Sequence, residues 1–152
     1  MAVIREEVWR AYSKTTVDFA LSTDIAFTVS PAPLGIVGKW PEGVIAPVFV
    51  LTAWNPGSER PSADANRSRH QRLEAELRRQ DLEVWTTVGR DPDSDYFEVG
   101  VAVSGLSEED ALAVGVRYGQ DAIFSWSPTA WILLSCVDTH RQKLGWSISG
   151  PG

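Results

Sequence analysis

The run Val48-Phe49-Val50-Leu51-Thr52-Ala53 constrains this chain more than any other segment. It carries no charge and one hydroxyl, so an extended strand here shows apolar side chains on both faces, and both must be covered. Trp54-Asn55-Pro56-Gly57-Ser58 ends it with a cluster of turn formers. Behind Pro61, the stretch from Ser62 to Gln80 is rich in Ala, Leu, Glu, Gln and Arg, and a helix is expected there. Leu82 to Val88 reads as the next strand. A strand, a helix and a strand at this spacing predict a right-handed βαβ unit.

The flanking chain is simpler. Residues 1–13 place Ile4, Val8, Ala11 and Tyr12 on one helical stripe. Val17, Phe19 and Leu21 alternate, as do Ile25, Phe27 and Val29, and Ser22-Thr23-Asp24 between them predicts a hairpin turn. Residues 31–47 hold four prolines and three glycines and read as an irregular connection. The polar turn Gly89 to Asp95 joins the Leu82–Val88 strand to another over Tyr96–Val103, where alternation sets Glu98 opposite Phe97 and Val99. Ser107 begins a helix with Asp110 at the capping-box position, and Gly119 ends it. Ala122–Trp126 and Ala130–Cys136 are two more strands, and 137–152 is a polar C-terminal tail apart from Leu144, Trp146 and Ile148. The expected fold is a single α/β domain over 1–152, with a mixed β-sheet, one βαβ unit and two main helices packed on it.

Polar residues interrupt this pattern at one place. Leu73 and Leu77 define the buried stripe of the Ser62–Gln80 helix. Continued toward the N-terminus, the stripe meets His70 or Arg69 and then Asn66, where apolar side chains are expected. Buried polar groups need partners, so these residues face either solvent or a site. The helix also follows the Asn55-Pro56-Gly57-Ser58 loop at the carboxyl end of the apolar strand, where open α/β sheets bind ligands and helix N-termini attract anions.

Charge narrows the partners. The chain carries a formal net charge of -6, which disfavours a general nucleic-acid binder. The charge is uneven: residues 59–79 hold six arginines against four acids, and residues 81–121 hold ten acids against two arginines. A small anion near the basic helix is therefore compatible with an acidic protein. The single Cys136 can form no disulfide within the chain, no signal-peptide pattern opens it, and no stretch is long and apolar enough to span a bilayer, so the cytoplasm is the expected compartment.

Several chemistries find no support. His70 and His140 form no metal-binding spacing, and Cys136 with His140 lacks a second pair. Asp91, Asp93 and Asp95 alternate as in a calcium loop, but Tyr96 stands where its glycine belongs. Phosphate-cradling glycine motifs and the nucleophile-elbow frame are absent. Asp91 and Glu98 remain as candidates for general acid–base work.

Leu51-Thr52-Ala53-Trp54-Asn55-Pro56 resembles the Thr-Ala-Trp-Asn-Pro box of the bacterial DUF3293 family. Asn66, Arg69-His70 and Leu73 resemble its next helix. Gly89-x-Asp91-Pro92 with Tyr96 and Glu98 resembles its third segment, with Tyr96 where Trp is usual. Tyr118-Gly119-Gln120-x-Ala122 resembles its ending. The likeness covers roughly residues 10–135 and implies no reaction, because the family is one of unknown function. It does imply that Asn55, Asn66, Arg69, Asp91, Glu98 and Gln120 hold motif positions, as a shared polar pocket would require. Asn55, Asn66, Arg69, His70 and Gln120 are therefore the expected ligand contacts, for a small polar or anionic molecule such as a nucleotide or phosphorylated metabolite. No metal is expected, and no cofactor is named by these residues. The alternative is a non-enzymatic protein–protein interaction module, which exposure of Trp40 and Trp146 would favour.

Overall fold

The computed structural model describes residues 3–20, 26–33 and 35–150. In chain order these form α1 (Glu6–Lys14), β1 (Thr16–Ala20), β2 (Ala26–Ala32), β3 (Ile36–Val37), β4 (Val48–Thr52) and a 3-10 turn at Pro56–Ser58. There follow α2 (Ala63–Arg78), β5 (Glu83–Arg90), β6 (Phe97–Ser104), α3 (Glu108–Arg117), β7 (Ala122–Ser127), β8 (Ala130–Ser135) and β9 (Arg141–Ser149). The predicted turn at Ser22-Thr23-Asp24 lies outside the described residues. Ser62 and Ser107 cap α2 and α3, accepting from the N–H of Ala65 and Asp110.

The sheet is a closed barrel, not the open mixed sheet expected from the sequence. Its strand order is β2-β1-β5-β6-β4-β7-β8-β9, and β9 pairs back onto β2 (Val29 with Ile148, Pro31 with Trp146). Among the described residues, all eight barrel pairings are antiparallel, and only the two-residue β3 joins in parallel, on β9. The predicted βαβ unit does not form. β4 and β5 do run in the same direction, but β6 lies between them and hydrogen-bonds to both. The supposed polar tail supplies β9, the strand that closes the barrel. Closure removes the sheet edges that an open arrangement would leave unpaired.

Closure also explains the two-faced apolar run. On one face of β4, Val48 and Val50 point into the barrel with Val17, Phe19, Phe124, Trp126, Trp131 and Trp146. On the other, Phe49 and Leu51 lie under α2 and α3 with Leu73, Leu77, Ala111 and Val114. The interior is unequal along its axis. At the end holding Val48 and the β7–β8 turn, the tryptophans fill it, and Trp40 plugs it with its ring 4.3 Å from that of Trp126. Trp146 is buried and Trp40 half-buried, so neither forms an exposed aromatic surface. At the opposite end the inward residues are Thr52, Thr87, Gly89, Gly100 and Ala122, and α1 lies across the opening. The Trp9 indole donates to Gln142 Oε1 at 3.0 Å, and the Ile4 N–H to Asp138 at 3.1 Å. Among the described residues no helix is long and apolar enough to cross a membrane.

Candidate functional site

Small inward residues leave a cavity of about 250 Å³ beneath α1. Gly100 shows how tightly its wall is drawn: a Cβ there would stand 2.6 Å from the Leu51 carbonyl and 3.2 Å from Thr87 Oγ1. The cavity floor is apolar, with Val17, Val50 and Phe124, and the ring of Tyr12 descends from α1 onto Phe124. Polar groups gather toward the mouth on the loop after β4 and the first residues of β6.

Three of them form a chain. Asn55 Nδ2 donates to the Tyr96 hydroxyl at 2.7 Å, and that hydroxyl donates to Glu98 Oε1 in a short hydrogen bond. Asn55 Nδ2 also approaches the same Glu98 oxygen at 3.5 Å. Burial raises the Glu98 carboxyl above its ordinary range, more than the hydrogen bonds from Tyr96 and Asn55 lower it. Burial, reinforced by the bond to Glu98, pushes the Tyr96 phenol up to about 12, so the phenol keeps its proton. The Arg60 guanidinium lies over the Tyr96 ring, 4.1 Å from its centroid.

The remaining sequence-predicted residues lie behind this chain and hold it. Asn55 is left-handed (φ 48°), as is Ser58 (φ 64°), a backbone state that persists only where surroundings impose it. Asn66, reaching in from α2, accepts from the Asn55 N–H at 3.0 Å and donates to Asn55 Oδ1 at 2.9 Å. Arg69 donates to the carbonyls of Ala53 and Tyr118, both at 2.7 Å. Gln120 donates to the Trp54 and Tyr118 carbonyls at 3.0 and 3.1 Å. The Gly57 N–H meets the Gly119 carbonyl at 2.7 Å, an approach close enough that a Cβ on Gly119 would stand 2.8 Å from Pro56 Cβ. Asn55, Asn66, Arg69 and Gln120 therefore converge on one loop, and Asn55 is the member of that set that lines the cavity.

His70 and Asp91 stand apart from the chain. His70 Nε2 lies 3.3 Å from Glu74, and its buried Nδ1 has no partner among the described residues. Asp91 touches the cavity edge, but its carboxylate ties the β5–β6 turn, accepting from the Asp93 N–H at 2.9 Å and the Ser94 hydroxyl at 3.0 Å. The Asp93 N–H is the main cause holding it below the usual carboxylate range, so it stays ionised. Asp91 is thus poorly suited to donate a proton, and Glu98 is the better acid–base candidate.

Sequence reasoning missed Arg60, Tyr12 and the site role of Tyr96. Alternation sets Glu98 opposite Phe97, and it is Phe97 that is exposed while Glu98 lines the cavity. A period-two reading carried from Gly100 through Glu98 to Tyr96, paired with Thr87 across the hairpin, would have found the inward row. Among the described residues no group of His, Cys, Asp and Glu side chains is arranged to hold a metal ion.

No curated protein and no solved structure matches the chain. Residues 51–123, which contain Asn55, Asn66, Arg69, Asp91, Glu98 and Gln120, match the family model described as Protein of unknown function (DUF3293), and over that span the chain resembles this family.

Proposed function

We propose that this protein binds a small polar or anionic molecule, nucleotide-like or a phosphorylated metabolite, in the barrel-end cavity. The observation that carries the reading is the chain Asn55–Tyr96–Glu98 in the cavity wall, held from behind by Asn66, Arg69 and Gln120. A polar cluster braced this thoroughly beside a cavity resembles a prepared binding wall. Arg60 at the mouth supplies the anion-binding charge, and it forms no ion pair among the described residues. Glu98 is the group that would exchange a proton with the bound molecule. The unpaired Cys136 agrees with action in the cytoplasm.

A thermal-shift screen of small polar molecules, covering nucleotides, phosphorylated metabolites and amino acids, tests this. A ligand present at 100 times its dissociation constant adds about 2.7 kcal/mol, a rise of roughly 5–10 °C for a chain this size. Ala11→Trp, a bulky side chain at a position lining the cavity, should abolish the rise, and Arg60→Gln should reduce it. A screen without hits, or hits that Ala11→Trp leaves intact, would overturn the reading.

A further inference from the structure

The cavity mouth holds a carboxyl and a guanidinium that form no ion pair with each other. Glu98 directs Oε1 to Tyr96 and Asn55, while no described residue donates to Oε2 and no cation pairs with the carboxylate. Arg60 is exposed and likewise unpaired among the described residues. The Tyr96 ring lies between them: the guanidinium covers its face and the carboxylate bonds its hydroxyl. Two opposite charges held apart by one aromatic ring match two opposite charges held apart within a single small molecule. Below them the walls turn apolar at Val17, Val50 and Phe124.

Building on the binding reading above, we infer that the ligand is a small zwitterion: a protonated amine or amidine facing Glu98 Oε2, an anionic group at Arg60, and a compact apolar body directed at Val50 and Phe124. A ligand bearing an anion alone would satisfy Arg60 and leave Glu98 Oε2 without a donor. One bearing a cation alone would leave Arg60 to solvent. Charge complementarity at both ends selects the zwitterion over either fragment.

Matched probes separate these cases. L-Phenylalanine carries both charges and an apolar body, 3-phenylpropanoate lacks the amine, and phenethylamine lacks the carboxylate. L-Leucine repeats the zwitterion with a smaller body. Binding to the full chain is read by calorimetry and thermal shift. At least one of the two amino acids should bind, with each single-charge analogue of phenylalanine weaker than phenylalanine by about tenfold or more. Glu98→Gln keeps the shape of the wall and should weaken amino-acid binding by about tenfold while leaving 3-phenylpropanoate unchanged. Arg60→Gln, on the exposed rim, should weaken 3-phenylpropanoate and the amino acids and spare phenethylamine, so the inference does not depend on how Glu98→Gln folds. Equal affinity for phenylalanine and 3-phenylpropanoate would overturn the zwitterion. So would failure of both amino acids; if nucleotides or phosphorylated metabolites then bind, the cavity reading stands without it, and if they also fail, both readings fall.

Discussion

Asn66 gives Asn55 a hydrogen-bond partner for both its backbone N–H and its side-chain oxygen, which fixes a left-handed residue at the cavity mouth. Both groups are buried, so removing Asn66 strands a donor and an acceptor rather than returning them to water. Asn66→Ala should cost about 1–3 kcal/mol per stranded group, lowering Tm by roughly 2–12 °C even for one group. Asn66→Asp retains the acceptor for the Asn55 N–H but sets a carboxylate against Asn55 Oδ1, and should be destabilised too. Thermal melts of both variants at the parent Tm would contradict the pairing. Glu98 makes the opposite kind of contribution. Its carboxyl is raised in the folded state, so the fold holds that proton more tightly than the unfolded chain does. The destabilisation is absent below the unfolded pKa, grows as pH rises from there through the folded pKa, and is constant above it. Asp91 and Asp138 are lowered instead, so their stabilisation is present above the unfolded pKa and lost as pH falls through the folded pKa. Denaturant melts of Glu98→Gln against the parent from acid to neutral pH isolate Glu98. The variant's advantage should be smallest in acid and increase toward neutrality, and an advantage independent of pH would contradict the burial of this carboxyl. Asn66 was legible because it broke an apolar stripe. Arg60 and the site role of Tyr96 were not, because an exposed arginine and a tyrosine at a strand start break no pattern until the cavity places them together.

At the scale of elements, α1 is the piece most loosely tied to the rest. None of its residues is fully buried; Tyr12 packs on Phe124, Trp9 donates to Gln142, Lys14 pairs with Asp93 at 2.9 Å, and Ile4, just before the helix, donates to Asp138. The Lys14–Asp93 contact is an exposed ion pair that contributes little. Trp9→Ala removes the indole from Gln142 and from His140, whose ring lies 4.5 Å away. Hydrogen exchange should then accelerate across Glu6–Lys14 while β4 and β6 keep their protection, because segments with few buried contacts open independently. Equal acceleration in the barrel strands would show that α1 belongs to the cooperative core. The elements themselves were largely readable: α2, the β5–β6 hairpin and the Ser107 cap followed from propensity, alternation and capping chemistry. Their pairing was not. The order strand–helix–strand is the same whether β5 lies beside β4 or beyond β6, and only the long-range pairing of Val101 and Val103 with both neighbours decides it. β9 escaped notice because its inward residues, Leu144, Trp146 and Ile148, alternate with glycine, serine and charged residues typical of tails.

For the whole molecule, the barrel divides its interior between a packed end and a cavity. Tryptophans and phenylalanines fill one end, and this leaves the other free to carry Gly89, Gly100 and Thr87 around a cavity that contributes less to the core. The first hairpin and the last strand meet at β2–β9, so the ring exists only when chain segments more than a hundred residues apart have paired. Trp146 stands at that seam. It is 1% exposed, its ring packs 5.4 Å from Trp126, and its indole donates to the Ser127 carbonyl at 2.9 Å. Trp146→Ala should cost about 3–5 kcal/mol, from the lost transfer energy and the space left behind. Against a typical total of about 5–15 kcal/mol, that is a large share of the stability. Because β9 touches β8 on one side and β2 on the other, the loss should be felt around the whole ring. Denaturant unfolding followed by tryptophan fluorescence and by far-ultraviolet circular dichroism should therefore shift together to a lower midpoint as one transition. Two separated transitions would mean that β9 can leave while the other seven strands stay folded, and the seam would then be a gate rather than part of the core.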